Sequence, residues 1–119
     1  MNDFIDYLHE VFSRFGPISV RRMFGGYGIS REGLTFAIVI DDTLYLKADE
    51  GNVEHFTKAG LSRFEYQRDG KTMGMNYYVA PADLMDDRDE AAIWARRSFE
   101  AALRAQSKKK PKKTKAKNK

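Results

Sequence analysis

With 119 residues, 42% of them hydrophobic and 13% aromatic, the chain can bury one core without staples and is too short for two full domains. Cysteine is absent, which excludes disulfides, thiolate metal sites and a cysteine nucleophile together. The net charge of +4 divides unevenly: of 21 Lys+Arg, eight lie between Lys108 and Lys119, which leaves 13 against 17 Asp+Glu for residues 1–107.

In chain order, Asn2 or Asp3 can cap a first helix, with Phe4, Leu8, Val11, Phe12 and Phe15 along one apolar stripe. Gly16-Pro17 ends it, because glycine accepts a left-handed cap and proline cannot extend the ladder. The period then becomes strand-like, and strands are predicted near Val20–Phe24, Tyr27–Ser30, Leu34–Ile40 and Thr43–Lys47. The breaks at Gly25-Gly26, Arg31-Glu32-Gly33 and Asp41-Asp42 are short enough for hairpins. Phe36 to Ile40 is apolar on both faces, which predicts a central strand covered on both sides, or on one side by a partner chain.

A short helix is predicted from Asp49 to Ala59, with Val53 and Phe56 inward and Gly60 as its stop. Strands at Phe64–Arg68 and Thr72–Ala80 flank Asp69-Gly70, the strongest hairpin signal in the chain. Asp83 or Asp86 can cap a final helix to about Gln106, with Ala92, Ala95, Phe99, Ala102 and Leu103 as its buried stripe and Trp94 beside it. These divisions give a domain over residues 1–106 and a lysine-rich tail over 107–119. Nothing in that tail can bury enough to offset the entropy of ordering it, so disorder is expected there.

Motifs that carry chemistry fail on context. Gly70-Lys71-Thr72 has Glu65 where a phosphate loop needs its first glycine, and Gly25-Gly26-Tyr27-Gly28 has Arg31 where a dinucleotide loop needs its third. His9 and His55 lie on separate helices without a second ligand at metal spacing, and no serine has an elbow around it. The cluster Asp83, Asp86, Asp87, Asp89 reads as helix capping. No catalytic, cofactor-binding or metal-ligating residue is assigned. One of the strand neighbours Tyr77 and Tyr78 should be core and the other outward near Tyr66 or Phe64; exposed aromatics can stack bases, but with no Lys/Arg grid legible beside them, packing is the expected role. Arg21 and Arg22 should likewise diverge, one toward solvent beside Lys47.

Met23-Phe24-Gly25-Gly26-Tyr27-Gly28, Phe36-Ala37, Leu44-Tyr45-Leu46-Lys47, Asp49, Phe56, Gly60, Phe64, Tyr66, Gly70-Lys71, Met75-Asn76-Tyr77-Tyr78 and Pro81 occur in one order. That ordered set resembles the N-terminal domain of the TfoX/Sxy family of bacterial competence regulators, in a stand-alone form, over roughly residues 4–105. The resemblance implies an α+β fold: an antiparallel sheet of about five to six strands with an N-terminal helix, a short middle helix and a long C-terminal helix packed on it. It also implies a non-enzymatic regulatory role, with no catalytic residues to carry over and a protein partner in the transcription machinery.

The surface expected to meet such a partner is Met23, Phe24 and Tyr27. The tail, through Lys108, Lys109, Lys110, Lys112, Lys113, Lys115, Lys117 and Lys119, is the expected site of non-specific DNA or RNA contact. A small-molecule role in a sheet–helix crevice is the third reading, and self-association into a homodimer stays open. Met1-Asn2-Asp3-Phe4 begins no secretory signal, and the longest apolar run is far below the ~20 residues that span a bilayer, so a cytoplasmic protein without membrane association is expected.

Overall fold

The computed structural model describes residues 3–23 and 25–117, with the helical backbone alone for 109–117. The expected cap at Asn2, and Phe24 at the first hairpin, lie outside the described residues. Strands β1 (Ser19–Met23), β2 (Gly26–Arg31), β3 (Leu34–Ile40), β4 (Thr43–Lys47), β5 (Arg63–Arg68) and β6 (Lys71–Val79) form one antiparallel sheet in the order β1-β2-β3-β4-β6-β5. Around it stand α1 (Asp3–Val11), α2 (Val53–Lys58), a 3-10 turn over Ala82–Asp86, and α3 (Arg88–Lys117). This is the expected α+β architecture.

Local chemistry accounts for the punctuation. Asp41-Asp42 and Asp69-Gly70 both sit at positive φ (51° and 57°, 52° and 77°), the left-handed pair that matches strand twist in a two-residue hairpin. Asp and Asn tolerate that region better than other residues with a β-carbon. Gly26 has no room for a side chain, since a β-carbon would lie 2.2 Å from the Val39 carbonyl oxygen on the neighbouring strand.

One irregularity sets which side of the sheet is which. The β2–β3 register passes from Ile29↔Ala37 to Ser30↔Thr35, so Phe36 is an extra residue with no β2 partner. The bulge turns Phe36, Ala37 and Val39 all toward the helices, where they join Ile5, Leu8, Phe12, Leu46 and Phe56 in a single core. Phe36 meets Phe12 and Phe15 edge-on at 5.6 and 5.1 Å, and Phe15 meets Phe99 at 5.8 Å. Ile38 and Ile40 then fall on the opposite side. Of the two arrangements expected for this apolar run, helices of the chain covering both faces is not the one found: the described helices share one face, and Ile38, 4% exposed, points to the other.

Helix α3 also differs from its predicted form. Its cap is Asp87, whose Oδ1 accepts from the Asp89 and Glu90 amides at 3.1 Å, rather than Asp83 or Asp86, which lie in the preceding 3-10 turn. The buried stripe is Ala91, Ala95, Ser98, Ala101 and Ala102, whereas Leu103 is 43% exposed. Small residues face inward because the helix lies directly across β3 and β4. Its backbone is helical through Lys117, beyond the expected end at Gln106; lysine's straight side chain loses little rotamer freedom in a helix. Ion pairs Arg14–Asp89 and Arg88–Glu10 link the α1 region to the start of α3. No described helix is long and apolar enough to cross a membrane.

Urea denaturation should rank the two kinds of apolar position. Phe36→Ala is expected to cost about 3–5 kcal/mol, and Leu103→Ala no more than about 0.5 kcal/mol. Ser98→Ala should be neutral or stabilising, because the buried Ser98 Oγ makes no hydrogen bond.

Candidate functional site

Three surfaces bear on function. The first is a cleft of about 470 Å³ where α3 passes the β4–α2 loop, lined by Lys47, Asp49, Glu50, Arg63, Tyr78 and Lys108, with Ala101 and Ala105 as part of its floor. The loop is held rigidly. Asp49 takes Arg104 in a two-pronged pair, Nε to Oδ2 at 2.6 Å and one terminal guanidinium nitrogen to Oδ1 at 2.7 Å, and Oδ1 also accepts the Gly51 amide. Asn52, 3% exposed, accepts from the Asp49 amide and donates to the Lys47 carbonyl. Gly51 is required for this arrangement, because a β-carbon there would lie 2.6 Å from the guanidinium. The Arg104 hydrogen bond, above all, holds the Asp49 carboxyl below the usual carboxylate range. This cleft is a charged clamp between sheet and helix. Among the described residues, no group of three or more His, Asp or Glu could hold a metal ion.

The second surface is the β1–β2 hairpin, where the structure separates the residues expected to act together. Met23 lies over Gly28 on the side of the sheet away from the helices. Tyr27 pairs with Val39 on the helix side and has the Arg22 guanidinium 6.0 Å from its ring. Met23 and Tyr27 therefore present to opposite faces, and of the two only Met23 lies on the edge strand β1. Arg21 and Arg22 do diverge, but both are exposed, and β2 and β3 separate β1 from Lys47.

The third surface is the side of the sheet without helices. Tyr78 turns inward and stacks on Phe56 at 5.1 Å, while Tyr77 turns outward with the Lys47 ammonium 5.2 Å from its ring. Burial pushes the Tyr77 hydroxyl's pKa up. On the same outer side, Tyr45 meets Phe64 at 4.8 Å and Phe64 stacks with Tyr66 at 6.1 Å. Strand β6 pairs with β4 only from Tyr77 to Val79; beyond that, β5 and β6 continue as a two-stranded ribbon whose residues 65–74 are all exposed. Sequence reasoning placed one tyrosine outward near Tyr66 or Phe64 but missed Tyr45, which only the pairing of β4 with β6 brings beside them.

A one-sided sheet of six strands under three helices, with a projecting ribbon, defines a class of small α+β domain. The TfoX N-terminal domain family model matches residues 10–102, most of the described body. The chain belongs to that family. It is similar to Protein Sxy of Escherichia coli (strain K12), 29% identical over 98 residues, which cover 82% of this chain and 47% of that protein. It is also similar to the DNA transformation protein TfoX1 of Aliivibrio fischeri (strain ATCC 700601 / ES114), again 29% identical over 98 residues, covering 73% of this chain and 47% of the relative. The chain thus spans about half the length of the curated relatives it matches.

The clamp gives a pH-dependent prediction. With its folded pKa below the ordinary 3.8, Asp49 contributes stability that is complete above that value and lost as pH falls through the folded one. Asp49→Asn should cost about 1 kcal/mol at pH 7, the partly exposed pair being screened by solvent, and the gap from wild type should begin to narrow below about pH 4. An equal gap in urea midpoint at pH 3 and pH 7 would show that the charge is irrelevant.

Proposed function

We propose that the chain is a non-enzymatic regulatory domain that acts by contact with a protein of the transcription machinery, in the control of DNA uptake. Family membership over residues 10–102 carries this reading, together with the names of the two relatives, one of them a DNA transformation protein. The free outer edge of β1 supports it, because an unpaired strand offers amide and carbonyl groups to an incoming segment. Met23 stands at the end of that edge and Phe24 follows it. Crosslinking the full chain in cells, followed by mass spectrometry, should recover one transcription protein in proportion to expression. Met23→Ala/Phe24→Ala should reduce that recovery about tenfold or more, the weight of a small anchor cluster. Recovery that is unchanged in the double variant overturns the assigned surface, and recovery of metabolic enzymes alone overturns the reading.

The eight lysines from Lys108 to Lys119 favour a second, additive contact with a polyanion. Deleting residues 108–119 should weaken duplex DNA binding and flatten its salt dependence. Affinity and slope equal to those of the full chain would show that the tail makes no such contact.

A further inference from the structure

The six strands together hold seven Lys or Arg residues and one acid, Glu65, although residues 1–107 as a whole carry an acidic excess. The helices and loops hold the remaining acids. Pleat alternation divides the strand charges further. Arg21 pairs with Gly28 and so lies on the side of Ile38 and Tyr45; Lys47 lies over Tyr77; Arg68 and Lys71 are cross-strand partners on the side of Tyr66 and Met73. Glu65 pairs with Gly74 and falls on the other side, with Arg63, whose guanidinium lies against Gly74. The outer face thus combines Arg21, Lys47, Arg68 and Lys71 with the rings of Tyr45, Phe64 and Tyr66, and none of its strand residues is acidic.

We infer that this open face binds single-stranded nucleic acid, with bases stacked on the Tyr45–Phe64–Tyr66 series and phosphates held by the flanking cations. The occupant follows from charge and shape. A polyanion is complementary to a face whose strand charges are all cationic, and unpaired bases have flat apolar faces that aromatic side chains accept without reading sequence. A second copy of the chain is the poorer fit, because it would set two cationic faces against each other. A rigid duplex presents its phosphates and keeps its bases stacked internally, so it leaves the ring series unused. Tyr66 and Met73, 36% and 40% exposed, are the most accessible of the face's large apolar side chains. The ring series lies on β4 and β5, away from the β1 edge of the protein-contact reading above; Arg21 is the one cation of the face that belongs to β1.

Fluorescence anisotropy with the full chain and a labelled oligothymidylate or oligouridylate of about 20 nucleotides tests this directly. Tyr66→Ala should weaken binding by about tenfold or more, whereas Tyr66→Phe, which keeps the ring, should bind as wild type. Arg68→Gln/Lys71→Gln should reduce the salt slope by roughly 1.4, the share of two phosphate contacts on a single strand. Because these side chains are exposed, far-UV circular dichroism and the urea midpoint should not change. The control Arg97→Gln, on the helix side, should have no effect. The inference is overturned if Tyr66→Ala binds as tightly as wild type, if duplex DNA suffers the same loss on that change, or if polyglutamate competes as well as the oligonucleotide does. The last outcome would mark the face as a dock for an acidic protein.

Discussion

The bulge at Phe36 governs the rest of the structure. A regular strand would send alternate residues of Phe36–Ile40 to opposite faces; the extra residue instead turns Phe36, Ala37 and Val39 to one side. Phe36 then serves as the centre of an aromatic cluster contributed by the α1 region and α3, and α3 can approach the sheet because alanine and serine occupy its contact stripe. The core is concentrated in one layer, so the other side of the sheet is left to carry different chemistry.

Charge follows the same division. Carboxylates occupy helix starts, where Asp87 caps α3 and the acids of its first turn complement the macrodipole, and ion pairs tie helix to helix. The sheet retains cations on its outer side and aromatic rings between them. A domain whose overall charge is acidic can therefore present a cationic surface, and the lysine-rich segment after Ser107 need not be its whole capacity for polyanions. The Asp49–Arg104 clamp belongs to the helix side; it fixes the loop between β4 and α2 and consumes the polar groups that would otherwise make the cleft receptive.

The order and type of the elements were legible in the sequence, because their signals are local: Asp69-Gly70 and Asp41-Asp42 mark hairpins by conformational tolerance, and Gly16-Pro17 and Gly60 mark helix ends. Tyr77 and Tyr78 diverge as the period of two requires. What could not be read depends on register. Nothing near Phe36 announces a bulge, and apolar periodicity placed Leu103 in the core of α3 because it weighs hydrophobicity over closeness of approach. Arg21, Lys47, Arg68 and Lys71 are scattered over fifty positions and come onto one face only through strand pairing, which is why no grid was visible beside the aromatics. Met23, Phe24 and Tyr27 are the converse case: adjacent in sequence, they include two residues that the pleat sends to opposite sides.

The account stands on the sheet being covered on one side alone. NMR with a soluble paramagnetic agent measures that coverage residue by residue at protein concentrations where no association occurs. The structure predicts strong broadening of the Met73 methyl and the Tyr66 ring, intermediate broadening of Met23 and Tyr45, and sharp signals from Leu46, Leu8 and Phe36. Protection of Met73 and Tyr66 equal to that of Leu46 would mean that something covers the outer face, and would contradict the account.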